Sequence, residues 1–262
     1  MSLTVVMDAL ALPANTKVEQ RIPKKLLVEQ GAPTAADKRQ IQDGIEELQW
    51  VATLKPTNIA VPIYRDVERE YLEVAVLTVV FRRSAKVARL TELIHRAIPY
   101  PVLLVSLCCD GDDENVSVSV AHKRFAQNEV GKFVVDEILT TVPIHLDSAQ
   151  PAVTQAFLDS LALSKLPTRN LFILYQGWVD RIVGLAAASV TGFFALPETP
   201  EETQRMRESL AIHFQILDEM SALRTQAVKE KQMNRLVELN FQIKRLELQL
   251  TANKSVLYVT PL

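Results

Sequence analysis

Carboxylate side chains cluster at one point of the sequence, in the stretch CDGDDE. Asp110, Asp112, Asp113 and Glu114 lie within five residues, and clustered carboxylate oxygens are the ligands that Ca²⁺ and Mg²⁺ prefer. The stretch lacks the glutamate that closes a twelve-residue calcium loop, and Asp110-Gly111 is a turn signal. We therefore interpret it as a solvated hairpin tip, and we predict no metal site and no cofactor.

The other residues with catalytic potential are scattered. A restriction-type nuclease places Glu-x-Lys on a strand, so that carboxylates hold a metal beside a lysine. Here Glu73 is followed by Val-Ala and Glu137 by Ile-Leu, so the lysine is missing both times. None of the histidines shows the spacing of zinc ligands; they are His95, His122, His145 and His213. We predict no catalytic residue, and a degenerate nuclease stays as the third functional alternative.

Pairs of basic residues are the remaining polar signal, and they fall at the ends of predicted elements. They are Lys24-Lys25, Arg82-Arg83 and Lys123-Arg124. Strand ends of one sheet can converge, so Arg82, Arg83, Lys123 and Arg124 are candidates for a patch that contacts nucleic-acid phosphates. Ordinary surface charge is the alternative. The net charge of -2 weighs against a dedicated nucleic-acid coat protein.

The composition indicates a cytoplasmic globular protein. Hydrophobic residues make up 48% of the 262 residues, enough for a substantial core. The two cysteines, Cys108 and Cys109, are adjacent, and neighbouring side chains on a strand point to opposite faces, so we expect no disulfide between them. The N-terminus lacks the basic region of a signal peptide, and the longest apolar run, 183–196, is too short to span a bilayer. We expect no membrane association.

The patterns up to residue 146 predict an α+β domain. A helix capped by Thr34, with Asp37 three residues later, is expected to carry Ile41, Ile45, Leu48 and Ala52 on one face. Residues 58–63 are expected to form an edge strand. The runs 74–81 and 102–108 are apolar on both faces, which predicts neighbouring central parallel strands joined by a helix over 84–98. With strands near 116–120 and 133–142, the prediction is a mixed sheet of four to five strands with flanking helices.

The rest of the chain is expected to be all-α. We predict a helical region over 147–196, a coiled-coil-like arm over 197–254 and a tail over 255–262. In the arm, apolar residues recur at spacings of 3, 4, 3 and 4, which is typical of a helix seam; they are Leu236, Leu239, Ile243, Leu246 and Leu250. The partner across the seam is either the 201–229 helix of the same chain, in a hairpin, or a second chain.

Seven stretches together resemble one bacterial family, and they occur in order over nearly the whole chain. They are RIPKK (21–25), IEELQW (45–50), HRAIPYPVLLV (95–105), VAHKRF (120–125), LYQGWVDRIVGL (174–185), TGFF (191–194) and KEKQMNRLVELNFQIKRLE (229–247). The family is the domain of unknown function 4391, which has no established activity to carry over. The resemblance implies an accessory subunit encoded beside helicases and DNA methyltransferases in restriction- or defence-type gene clusters.

The first functional hypothesis is therefore a non-enzymatic interaction protein that docks a protein partner, such as a helicase or DNA methyltransferase, through its helical arm. The same arm could instead form a homo-oligomer. Direct DNA binding through the basic pairs is the second hypothesis, and a degenerate nuclease is the third.

Overall fold

The computed structural model describes residues 2–110, 113–126, 133–144 and 150–257. The chain divides into two compact units, Met1–Ile182 and Val183–Leu262. The finer division predicted from the sequence, at residues 146, 196 and 254, stays a prediction.

The described residues of the first unit form a six-stranded mixed sheet and a separate two-stranded ribbon. The strands are β1 Lys17–Arg21, β2 Ile45–Leu54, β3 Tyr64–Arg65, β4 Glu70–Tyr71, β5 Val74–Phe81, β6 Val102–Asp110, β7 Asp113–Phe125 and β8 Phe133–Thr140. The sheet order is β1-β2-β5-β6-β7-β8, and β3 pairs with β4. The α+β class is confirmed, with six strands in the main sheet rather than four to five.

The helices of the described chain are α1 Ser2–Ala9, α2 Lys24–Gln30, α3 Ala35–Gly44, α4 Pro56–Ile59, α5 Val87–Ala97, α6 Pro151–Ser160, α7 Leu171–Thr191, α8 Pro200–Lys229 and α9 Met233–Leu257. As predicted, Thr34 caps α3, because its hydroxyl oxygen accepts a hydrogen bond from the Asp37 backbone N–H at 3.1 Å. The Arg89 guanidinium and the Thr34 hydroxyl bond the Asp37 carboxylate and lower its pKa to about 2.

The centre of the sheet follows the prediction. β5 and β6 are parallel neighbours, in register from Ala75 opposite Val102 to Phe81 opposite Cys108, and α5 lies between them in sequence. Every other neighbouring pair in the main sheet is antiparallel. α5 buries Leu90, Leu93 and Ile94 in one core cluster with residues of β2, β5 and β6.

The helix predicted across Ile41 to Ala52 is wrong beyond Gly44, where α3 ends and β2 begins. β2 carries irregularities between Ile45 and Glu47 and between Trp50 and Ala52. A bulge adds a residue and shifts the inward-facing position, so Ile45, Leu48 and Ala52 are buried at spacings of 3 and 4. Bulges in a strand have here reproduced the spacing of a helix face.

Two other boundaries differ from the prediction. Residues 58–63 are not an edge strand, because α4 occupies Pro56–Ile59; Asn58 stabilises this turn by accepting from the Lys55 N–H and donating to the Thr53 carbonyl, each at 2.8 Å. α5 begins at Val87, with Lys86 rather than Ser84 at its N-cap.

α7 is 21 residues long and apolar enough to cross a membrane by length and composition, yet 72% of that window is buried in the structure. Such burial is what a core helix of a folded domain shows. Its first turn is stabilised by Asn170, whose side-chain oxygen accepts from the Ile173 N–H at 2.9 Å. Arg181 donates to the carbonyls of Ser160, Lys165 and Gly177.

The second unit contains a helical hairpin of α8 and α9. Thr199 caps α8 by accepting from the Glu202 N–H at 3.2 Å. The helices are separated by residues 230–232, where the Glu230 carboxylate accepts from the N–H groups of Lys231 and Gln232 at 2.8 Å each. These bonds lower the pKa of Glu230 and explain a turn that contains neither glycine nor proline.

Candidate functional site

The basic residues predicted to form one patch lie at opposite ends of the sheet. Arg82 and Arg83 follow the end of β5, whereas Lys123 and Arg124 lie near the end of β7. β5 is parallel to β6, and β6 is antiparallel to β7. The C-terminal ends of β5 and β7 therefore lie at opposite ends of the sheet. At about 3.3 Å per residue the two pairs are roughly 30 Å apart. The structure does not bring these four residues together.

Lys123 is a core residue rather than a surface cation. Only 2% of the residue is exposed, and its ammonium group donates to the carbonyl of Ile98, the residue that follows α5. Desolvation lowers the pKa of Lys123 to about 7. A side chain held in this way presents little positive charge to a phosphate group.

His95 of α5 lies beside this lysine and is fully buried. Its Nε2 is 3.0 Å from the Ser119 hydroxyl oxygen of β7, and its Nδ1 has no hydrogen-bond partner among the described residues. Burial, together with the charge of Lys123, lowers the pKa of His95 to about 3. The imidazole is therefore neutral at physiological pH, and its burial gives no substrate direct access.

Arg124 is tied to the sheet by an ion pair. Its Nε donates to one oxygen of Asp136 on β8 at 2.8 Å, and the Arg69 guanidinium forms an ion pair with the other oxygen at 2.7 Å. The three side chains are partly exposed. This arrangement joins the loop before β4 to β8, the edge strand of the main sheet. Because Arg124 is paired with Asp136, its charge is largely neutralised within the protein.

His122 takes part in a hydrogen-bonded chain that sequence analysis missed. The Tyr71 hydroxyl is 2.5 Å from His122 Nδ1, and His122 Nε2 is 2.8 Å from the Gln176 side-chain oxygen. Gln176 then donates to Asp180 at 2.8 Å. Burial raises the pKa of Tyr71, which makes its phenol a poor nucleophile, and Phe172 packs against both rings.

The end of β7 is therefore a partly buried polar assembly. Several of its residues lie in the motifs VAHKRF and LYQGWVDRIVGL, but the motifs did not reveal which of them pair. Among the described residues, no group of three or more His, Cys, Asp or Glu side chains could hold a metal ion. Glu73 is ion-paired with Lys55 at 2.9 Å. The acidic turn predicted at 110–114 lies mostly outside the described side chains.

A different basic cluster forms at the opposite end of the sheet. The pKa of Lys24 is lowered first by desolvation and then by the neighbouring charges of Arg82 and Arg21. Asp43 and Glu46 lie close enough to oppose that effect. Lys24 and Arg82, which belong to two of the predicted basic pairs, thus lie near each other. Lys123 and Arg124 are not part of this cluster.

An open groove of about 1200 Å³ runs between α5 and β8. Several of its acidic residues are already paired with cations: Glu92 contacts Arg89 and Arg96, Asp136 contacts two arginines, and Glu29 contacts Lys25. The groove therefore offers few unsatisfied charges to a ligand.

The predicted seam of α9 packs within the chain. Ile243 and Leu246 are buried against Ile216 and Met220 of α8, and Leu250 is packed against the same cluster. Leu236 and Leu239 are partly buried. Arg224 of α8 also donates to Glu247 of α9 at 3.1 Å. Of the two alternatives left open by the sequence, the described residues show the intrachain one.

A second apolar surface lies on α9, and we call it the outer face. It consists of Met233, Val237, Phe241 and Leu248, each between 61% and 74% exposed. With 3.6 residues per turn, Val237, Phe241 and Leu248 lie roughly 140–180° around the helix from the seam, and Met233 lies about 100° from it. The residues predicted for the helix seam do not include this face, because its apolar residues do not follow the 3, 4, 3, 4 spacing of the seam.

The fold and these sites define an α+β protein with a polar assembly at one strand end and a C-terminal helical hairpin. The family model described as Domain of unknown function (DUF4391) matches residues 10–250. The chain belongs to this family, as the resemblance of its motifs implied. No curated protein and no solved structure matched the chain.

Proposed function

We propose that the chain is a non-enzymatic interaction protein whose helical hairpin docks a protein partner through the outer face of α9. The observation that carries this proposal is the exposure of four large apolar side chains on one side of a single helix. Isolated apolar side chains are common on protein surfaces, but a contiguous group of them marks an interaction site more often.

The hairpin suits this role because its own stability does not use the outer face. The seam buries Ile243 and Leu246 against α8, so the side chains on the opposite side of α9 remain available. Amphipathic helices commonly bind partners through apolar residues spaced at one or two turns, and Met233, Val237, Phe241 and Leu248 have that spacing.

The polar assembly at the end of β7 supports a structural role rather than a catalytic one. Its groups with shifted pKa values, Lys123, His95 and Tyr71, are all buried. Catalytic groups need to reach a substrate within hydrogen-bond distance. These three side chains instead bond to the protein itself or are enclosed by it.

The partner class we propose is a subunit of a DNA-processing complex, such as a helicase or a DNA methyltransferase, as the family resemblance implies. The test is affinity purification of the tagged full chain from the organism that encodes it, compared with Phe241→Lys. The matched control is Gln242→Lys, which adds the same charge at the neighbouring exposed position.

We expect such a subunit to co-purify with the original chain and with the control, and to be depleted with Phe241→Lys. Equal recovery by all three chains would contradict docking through the outer face. Recovery of no such subunit by any of them would contradict the partner class.

DNA binding is a second candidate, favoured by the convergence of Arg21, Lys24 and Arg82 at one end of the sheet. Basic side chains grouped in this way can contact the phosphate backbone. The acidic neighbours Asp43 and Glu46 reduce the local charge and make this candidate weaker.

A further inference from the structure

We propose that the occupant of the outer face of α9 is a second copy of the chain, with the two α9 helices paired antiparallel about a twofold axis near Phe241. The inference rests on the proposed function, because it uses the same outer face. It assigns the occupant of that face in the purified chain, and a DNA-processing subunit would have to compete with the second copy for it. An interface of this kind is isologous, so one patch must complement itself.

The apolar residues can meet themselves in this arrangement. Met233 to Leu248 spans about 22 Å of helix. With the axis near Phe241, the two Phe241 rings pack at the centre, and Val237 and Leu248 of the two copies lie on either side. Lys244 also falls on this face, where its aliphatic stem can cover apolar surface while its ammonium group stays in water.

Charge complementarity favours a second copy over an unrelated helix. Glu238 and Arg245 are exposed and lie on the same flank of the outer face, seven residues apart. A twofold axis perpendicular to two antiparallel helices brings the same flank of both together. Glu238 of each copy then lies opposite Arg245 of the other, on both sides of Phe241. Such surface pairs add little affinity, but they specify the orientation.

The first test measures the mass of the purified full chain by light scattering and sedimentation over a concentration series. We expect reversible dimerisation, weakened about tenfold or more by Phe241→Lys, since aromatic residues at the centre of an interface carry much of its binding energy. Gln242→Lys should dimerise like the original chain. Circular dichroism at 222 nm should show unchanged helicity in both variants.

The second test examines the orientation through charge reversal. Glu238→Arg alone places like charges together at two points of the dimer and should weaken it about fivefold, as should Arg245→Glu alone. The double variant E238R/R245E restores the pairs and should restore the affinity. Because both residues are exposed, neither change should unfold the hairpin. Additive weakening in the double variant would overturn the antiparallel arrangement.

The outcomes separate this inference from the proposed function. A chain that stays monomeric up to about 100 µM, the concentration that would reveal a dimer of Kd near that value, overturns the second copy as occupant. If Phe241→Lys still depletes a helicase or methyltransferase subunit in the purification, the proposed function survives that result. If Phe241→Lys changes neither the mass of the purified chain nor the recovery of a partner subunit, both the second-copy inference and the proposed function fail.

Discussion

At the scale of a single residue, the burial of Lys123 lowers its pKa and makes the stability of the fold depend on pH. Its folded-state pKa is about 7, against 10.5 for an ordinary lysine. Between these two pH values the unfolded chain binds one proton more than the folded chain. The free energy of unfolding should therefore rise with pH in this window, by up to about 1.4 kcal/mol per pH unit from this residue.

Lys123→Met should remove that contribution, because methionine fills similar space without a charge. We expect urea denaturation between pH 7 and 10 to show a shallower pH dependence for Lys123→Met than for the original chain. Replacement of the exposed Lys38 by methionine is the control and should leave the slope unchanged. Equal slopes in all three proteins would mean that Lys123 is not held in the core.

The burial of His95 leads to a second prediction, a loss of folding stability at acidic pH. Its folded-state pKa is about 3, against 6.5 for an ordinary histidine, so the unfolded chain binds the extra proton between those values. Stability contributed by neutral His95 should be lost as the pH falls from 6.5 towards 3. His95→Gln, which keeps a polar side chain, should reduce the acid sensitivity measured by urea denaturation at pH 4 and 6.5.

Sequence patterns could not distinguish Lys123 from its neighbour Arg124. Both are basic and both lie near the end of one strand, but Lys123 faces α5 while Arg124 meets Asp136 of β8. Which side chain is buried depends on where α5 and β8 pack, and that is decided by residues distant in sequence. The same limit hid the pairing of Tyr71 with His122.

At the scale of elements, patterns were informative where a segment was uniformly apolar. β5 and β6 are buried on both faces, so their continuous apolar runs predicted their central position and their parallel pairing. β2 was misassigned because its bulges place buried residues at helix-like intervals. β1 has no buried residue, which left no apolar alternation to detect.

The α9 helix offers a matched pair of substitutions at this scale. Leu246 is 8% exposed and Leu248 is 69% exposed. Leu246→Lys should destabilise the hairpin by about 2–4 kcal/mol, since it removes a buried leucine and buries a charge. Leu248→Lys should change stability by less than about 0.5 kcal/mol while weakening the docking of a partner.

Thermal melting followed at 222 nm, together with the binding assays, checks this pair. If the two substitutions lower the melting temperature equally, then α9 does not use one face for the seam and the other for a partner.

At the scale of the whole molecule, the charge distribution favours contact with protein over contact with DNA. The chain carries 29 basic and 31 acidic residues, and the basic cluster of Arg21, Lys24 and Arg82 has acidic neighbours. We expect weak DNA binding at physiological salt. Fluorescence anisotropy with a labelled duplex across a salt series checks this, since phosphate contacts make affinity fall steeply with salt.

Tight binding with a steep salt dependence, lost in the double variant R21E/R82E, would instead make DNA the principal ligand. K123E is not a useful probe here, because a buried substitution would act through folding.

The central claim is that a partner docks on the outer face of α9. Hydroxyl-radical footprinting of the chain, free and bound to its partner, tests this claim most directly, because it reports the solvent exposure of individual side chains. The outer face contains Met233 and Phe241, which are 71% and 74% exposed in the free chain. We predict that both become protected when the partner binds, with no change at Tyr64 and Phe172 of the first unit. Protection of those two side chains, with Met233 and Phe241 as reactive as before, would contradict docking through the helical hairpin.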